Sequence, residues 1–237
     1  VITLALDTAT DRCGVAATDG TRTVARHLDG ARRHNAAILG LVGELLAELG
    51  AVPRDVTRVL TADGPGSFTG LRVSTAVAKA IAWGRPEVRW AVAPSLLSRA
   101  AAHVPTGGGV VLALSDALRG DLYAGAWRFA GGEVSEVLAP RAMAPDQLPQ
   151  GVDAVVGSVP EPLREAVRHR TGHEPIVGDA ALPNPVQLLR LDGLGGGTRP
   201  IIDPMSWEPE YGRPAEAQAV WERNHGRPLP ASTDRLD

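Results

Sequence analysis

The stretch Asp63-Gly64-Pro65-Gly66-Ser67-Phe68-Thr69-Gly70-Leu71-Arg72 is the part of the chain best equipped for chemistry. It follows the apolar run Val59-Leu60-Thr61-Ala62 and opens a stretch of helix formers, so it reads as a strand, a glycine-rich elbow and a helix start. Such an elbow aims backbone N–H groups at an anion above the helix N-terminus. A Walker A loop fails here, because Leu71-Arg72 stand where it needs Lys and then Ser or Thr. The dinucleotide fingerprint fails as well, with Thr69 at its third glycine position. The candidate nucleotide- or anion-binding residues are Gly64, Gly66, Ser67 and Gly70 of the elbow, Asp7 and Thr8 after the first apolar run, and Asp116.

Other reactive residues carry less. His169 and His173 have the i, i+4 spacing of a helical metal pair. Gly172 and Pro175 place the second imidazole past the helix end, no Glu lies between them, and no third ligand presents itself, so no metal site is expected. Arg32-Arg33-His34-Asn35 could touch an anion at a helix start but reads first as a solvated corner. Cys13 is the single cysteine; it cannot form an internal disulfide and reads as a small buried hydrophobe in a strand. There is no Gly-x-Ser-x-Gly elbow for a nucleophilic hydrolase. Asp7 is a candidate metal-phosphate anchor, but Thr8-Ala9-Thr10 offers no glycine through which phosphate could approach, which argues against ATP chemistry.

These residues need elements to position them. Ile2, Leu4 and Leu6 alternate with Thr3 and Ala5 ahead of Asp7 as a first strand. Residues 14–18 and 21–27 follow as a hairpin about Asp19-Gly20, then a helix over 35–49, a strand over 58–62, the elbow, a helix to about Trp83, a strand near 88–92 and a short helix after Pro94. After Gly107-Gly108-Gly109 the pattern restarts: strands over 110–114, 122–129 and 133–138, a strand at 152–156, a helix at 161–170, a short strand at 175–177 and a helix at 185–191. A duplicated β-β-β-α-β-α-β-α chain is the layout of the α/β actin-like (ASKHA) fold, two lobes facing each other over a cleft that Asp7 and Asp116 would flank. The expected lobes are 1–104 and 105–205; residues 193–204 read as linker, a final helix within about 206–225 packs on the first lobe, and 226–237 form a frayed tail.

Composition sets outer bounds. With 237 residues, 44% hydrophobic and 22% charged, the chain can bury a full core. No apolar run approaches the roughly 20 residues that span a bilayer, and the start shows no export pattern, so a cytoplasmic protein is expected. A formal charge of −3 with a single lysine, Lys79, leaves no field to draw nucleic acid. If the chain meets RNA, a partner supplies the affinity.

The helix over 36–49 is over-supplied with apolar side chains. Ile38, Leu39, Leu41, Val42, Leu45, Leu46 and Leu49 fall on an arc of roughly 160°, wider than an ordinary core stripe. Gly40 and Gly43 lie in mid-helix at a cost of about 1 kcal/mol each against alanine, which asks for a compensating close contact. The helix after the elbow is similarly smooth, with Gly70, Ser74, Ala76, Ala78, Ala80 and Ala82.

The residues also carry a resemblance. Leu4 to Thr10, His34 ahead of a Leu-rich helix, Gly64 to Val73, Asp116 to Tyr123 and Pro209 to Glu216 closely resemble the TsaB (YeaZ) family. The likeness is good over about the first 125 residues, thin from 140 to 205, and returns near the C-terminus. It implies a two-lobed actin-like protein that binds the catalytic subunit TsaD, with TsaE as a further partner, in placing a threonylcarbamoyl group on N6 of adenosine 37 of tRNA. TsaD-like proteins carry a His-x-x-x-His metal pair after the following helix and strand. The same region here, Val92 to Arg99, has no histidine, which makes the chain resemble a non-catalytic paralogue. The family's dimer surface implies partner-binding roles for Ile38, Leu39, Val42, Leu45, Leu46, Val73, Val77 and Ala80, with a homodimer when the partner is absent. Val42→Glu is then expected to abolish partner binding and spare the fold. No intrinsic cofactor is expected, ATP or ADP belonging to the complex interface, and tRNA is met only through the complex. The alternatives are an independent actin-like ATPase or phosphotransferase using Asp7, Asp116 and the elbow, and, further off, a metallopeptidase.

Overall fold

The computed structural model describes residues 1–30 and 34–212, the side chains of 34–36 excepted. The first unit opens with β1 (Ile2–Asp7), β2 (Arg12–Thr18) and β3 (Thr23–Asp29), then α1 (His34–Glu48), β4 (Val56–Ala62), α2 (Phe68–Ala82), β5 (Arg89–Ala93) and α3 (Ser95–Ala101). The second holds β6 (Gly109–Leu118), β7 (Asp121–Ala130), β8 (Glu133–Met143), β9 (Ala154–Gly157), α4 (Glu161–Thr171) and α5 (Val186–Asp192), before β10 (Arg199–Pro200). One sheet runs β10-β5-β4-β1-β2-β3 and the other β8-β7-β6-β9. In each, the first strand is antiparallel to the second and parallel to the fourth, β1 with β4 and β6 with β9. The duplication expected from the sequence is therefore present, and the fold is actin-like.

Strand alternation builds the layers. Leu4 and Leu6 of β1 face a core closed by α1 and α2, while Ala5 between them faces a second core that holds α3, α5 and the other sheet. In β6, Val111 and Ala113 join that shared core, and Val110, Leu112 and Leu114 turn to a third, which contains Val167 of α4. Small residues line the shared core (Ala5, Ala16, Ala91, Ala93, Ala100, Ala101), which lets α3 and α5 fit between two sheets. Arg58 of β4 and Asp192 of α5 form a two-pronged ion pair, and Arg190 donates to the Ala101 carbonyl at 3.1 Å.

Several expectations change. The hairpin loop runs from Asp19 to Arg22, because the Asp19 carboxylate accepts from the N–H groups of Thr21 and Arg22, which holds it down at about 2. The strand expected at 175–177 shrinks to one bridge between Ile176 and Val156. The stretch 193–204 is more than a linker, since β10 within it extends the first sheet beside β5. Residues 206–212 are not helical: Pro209 has no N–H, and Glu210 N donates instead to the Asp63 carbonyl at 2.7 Å. The remainder of the expected final helix, the tail 226–237, Arg32, Arg33 and the His34 side chain lie outside the described residues. Among the described residues no helix is long and apolar enough to cross a membrane.

Candidate functional site

The elbow folds as read, with Ser67 as the N-cap of α2 and its hydroxyl accepting from Gly70 N. Its glycines, however, are claimed by the chain itself. A Cβ on Gly66 would lie 2.5 Å from the Ala9 carbonyl oxygen, one on Gly70 1.9 Å from that of Thr8, and one on Gly64 1.7 Å from that of Glu210. The donors follow the same pattern: Ser67 N donates to Ala9 O at 2.7 Å, and Gly64 N donates to the Ser95 hydroxyl at 3.0 Å. The elbow is a junction where the turn after β1, the start of α2 and the returning segment 208–212 meet. Phe68 and Tyr211 pack with ring centroids 4.4 Å apart, Arg72 lies 5.3 Å from the centre of the Phe68 ring, and Tyr123 donates to the Gly212 carbonyl at 2.6 Å.

Beside this junction is the interlobe cleft, a cavity of about 550 Å³. Of the candidate anion-binding residues, Gly66, Ser67 and Asp116 line it. Asp7, Thr8, Gly64 and Gly70 do not, and the expectation for them is corrected. Thr8 is fully buried and donates to the Gly70 carbonyl at 2.6 Å. Asp7 is fully buried beneath the cleft, accepting from Ala9 N at 3.2 Å and from the Ser98 hydroxyl at 3.3 Å. Burial pushes the Asp7 carboxyl up and the neighbouring Arg99 guanidinium down, and each charge partly offsets the shift of the other. Arg99 donates to the Leu114 carbonyl of β6, which ties α3 to the second lobe. Asp11, Asp116 and Asp179 share the cleft lining with Arg99, so the cleft carries more negative than positive charge and disfavours a bare phosphate chain.

The metal readings receive no support from the donor chemistry. His173 lies beyond α4, which ends at Thr171 with Gly172 as its left-handed cap. On α3, Ser95 accepts from Gly64, Ser98 donates to Asp7 and Arg99 reaches Leu114, and the segment carries none of the imidazole or thiolate ligands a transition metal needs. Cys13 is buried as expected, and burial raises its thiol to about 11.

The second candidate surface is the outer face of α1 and α2. Of the residues expected to bind a partner, Ile38, Leu45 and Leu46 are fully buried in the core, and Val42 and Val77 nearly so. The wide apolar arc of α1 is explained by its close seating on the sheet. What remains outside is Leu39, 66% exposed, with Gly40, Gly43 and Ala47 of α1 and Ala76 and Ala80 of α2; Val73 is half-buried. Between the helices lies a groove of about 490 Å³ with Leu39, Gly43 and Ala80 at its edges and Val42, Leu46 and Val77 in its lining. Exposure of this kind was not legible from the wheel alone, since Leu39 and Ile38 look equally apolar in the sequence.

Two sheets of like order, a shared helical layer and a closed glycine junction define a two-lobed actin-like protein whose first-lobe helices carry a smooth outer face. The sequence pattern of the family described as TsaD, tRNA N6-adenosine threonylcarbamoyltransferase, matches residues 29–154, just over half the chain. The tRNA threonylcarbamoyladenosine biosynthesis protein TsaB of Bacillus subtilis (strain 168) is 27% identical over 225 residues, covering 91% of this chain and 96% of that protein. Its counterpart in Escherichia coli (strain K12) is 34% identical over 147 residues, 58% of this chain and 62% of that protein. A crystal structure from Pseudomonas aeruginosa, described as an uncharacterized protein with similarity to peptidase YeaZ, superimposes with a TM-score of 0.73 at 26% identity, covering 90% of this chain and 99% of its own. The chain belongs to the TsaB (YeaZ) family, whose role is in tRNA threonylcarbamoyladenosine biosynthesis.

Proposed function

We propose that this chain is a non-catalytic scaffold and activator subunit of the tRNA N6-threonylcarbamoyladenosine synthase, and that it binds a TsaD-type catalytic subunit through the outer face of α1 and α2. The observation that carries this reading concerns Gly40 and Gly43. Each weakens α1 by about 1 kcal/mol relative to alanine, yet among the described residues a Cβ at either position would meet nothing within 4 Å beyond the backbone of α1 itself. Packing among the described residues gives no reason for them. A second backbone or side chain brought close to α1 from outside does, and Leu39 and Ala80 flank the approach.

The cleft supports the same division of labour. Elbow donors committed to Ala9 and Ser95, glycines that close on backbone oxygens, and an α3 of serines and arginine suit a structural descendant of a nucleotide-binding fold better than a working one. The chain is proposed to have no intrinsic cofactor, to form a homodimer through the same helices when alone, and to meet tRNA and a TsaE-type subunit only within the complex.

Light scattering after size-exclusion chromatography tests the reading, with the chain alone and then mixed with the TsaD-type protein of the same genome. A homodimer that gives way to a mixed complex, and an Ala80→Glu variant that folds but forms neither, is the expected result. A mixed complex formed equally well by Ala80→Glu overturns the assignment of the face.

A further inference from the structure

The apolar surface does not stop at the end of α2. Next to the groove between the helices lies a second depression of about 890 Å³, and the two share Arg85. Its lining includes Trp83, which caps α2, and Ile202 and Met205 of the strap that follows β10. Trp83 is 73% exposed and Ile202 90%, so two large hydrophobic side chains stand in water beside the face already proposed as an interface.

The charged side chains that line this surface are all arginines. Arg58, Arg85 and Arg89 line the outer depression and Arg54 and Arg85 the groove, with no carboxylate in either lining. Carboxylates close by are occupied: Asp192 pairs with Arg58, Glu87 accepts from Arg85 at 2.9 Å, and Asp203 accepts from the Ser206 hydroxyl at 2.6 Å. Arg54 and Arg89 are exposed and form no ion pair among the described residues.

We infer that the partner's footprint continues from the helical groove across Trp83 to the 200–205 strap, and that the partner segment covering it is apolar and acidic, with carboxylates that meet Arg89 and Arg54. This rests on the reading of α1 and α2 as the partner face. Tryptophan and arginine beside each other are the side chains that most often dominate an interface, and unpaired arginines steer an acidic surface into register.

The test is titration calorimetry of the full chain with the TsaD-type protein of the same genome, comparing wild type with Trp83→Ala, Arg89→Glu and Ala80→Glu. All three positions are exposed, and circular dichroism checks each fold. Trp83→Ala and Arg89→Glu are each expected to weaken the complex at least tenfold. Raising the salt should weaken the wild-type complex more than that of Arg89→Ala. Should Trp83→Ala and Arg89→Glu bind as wild type while Ala80→Glu does not, the footprint ends on α2 and this inference is overturned with the proposed function standing. Wild-type binding by Ala80→Glu as well overturns the proposed interface itself. If Arg89→Glu disrupts the homodimer alone, the occupant is a second copy of this chain and the acidic partner is overturned.

Discussion

Gly70 and Thr8 are in contact from both directions: the Thr8 hydroxyl donates to the Gly70 carbonyl at 2.6 Å, and a Cβ on Gly70 would lie 1.9 Å from the Thr8 carbonyl oxygen. The obstructing atom is backbone at the end of β1, which cannot swing aside as a flexible side chain could. Gly70→Ala must therefore push the start of α2 away from β1, and it is expected to cost about 2 kcal/mol or more. Urea unfolding followed by circular dichroism measures it. Wild-type stability in this variant would show that the junction yields.

Gly43 is a glycine of the opposite kind. Among the described residues nothing beyond the backbone of α1 approaches its Cβ position, so Gly43→Ala should raise helix stability, by about 0.5–1 kcal/mol. The same added methyl group should obstruct a partner that packs on α1. The expected outcome is a higher melting temperature together with a weaker mixed complex. A more stable variant that binds its partner as well as wild type would remove the reason offered for the glycine.

Much of the fold is legible in the sequence, and part of the junction is not. The element order was legible because Leu4 and Leu6 alternate, the hydrophobic period changes cleanly at the helices, and Gly107–Gly109 punctuate the two units. The elbow was legible as an elbow. That its glycines close on Thr8, Ala9 and Glu210 was not, because those contacts join residues from about 60 to nearly 150 positions apart and depend on the path of the returning strap. For the same reason Asp7 looked like a cleft carboxylate: its place at the end of β1 was correctly read, but Ser98 and Arg99, which enclose it, arrive from α3. The wheel of α1 found the apolar arc and could not divide it between sheet and solvent, which is why Ile38 was grouped with Leu39.

That division changes the expectation for Val42. It is only 6% exposed and belongs to the core between α1 and the sheet, so Val42→Glu forces a carboxylate into apolar surroundings and is expected to lose about 3 kcal/mol or more of stability. Loss of partner binding in that variant would report unfolding rather than the interface. Leu39→Glu, on the exposed side of the same helix, should unfold within about 0.5 kcal/mol of wild type and still fail to bind. Thermal unfolding of both variants separates the two cases, and equal destabilisation would contradict the orientation of α1.

Asp63 gives the fold a pH dependence whose sign can be stated. Its side chain is nearly buried, pairs with Arg199 at 3.0 Å, and is pushed up to about 6, chiefly by burial, with Arg199 pulling it down and Glu210 adding to the rise. The unfolded value is 3.8. A carboxyl whose folded value is raised favours the folded state most where it is protonated in both states, below about pH 4, and that contribution is lost as pH rises through about 6. Asp63→Asn cannot titrate and should lack this component. The stability of wild type relative to Asp63→Asn is therefore expected to fall by about 1 kcal/mol between about pH 5 and pH 7.5. Urea unfolding of both proteins at the two pH values reads that difference directly. A difference that stays constant, or grows in favour of wild type as the pH rises, would mean that Arg199 holds the carboxylate ionised and that the pair, not the burial, sets its charge.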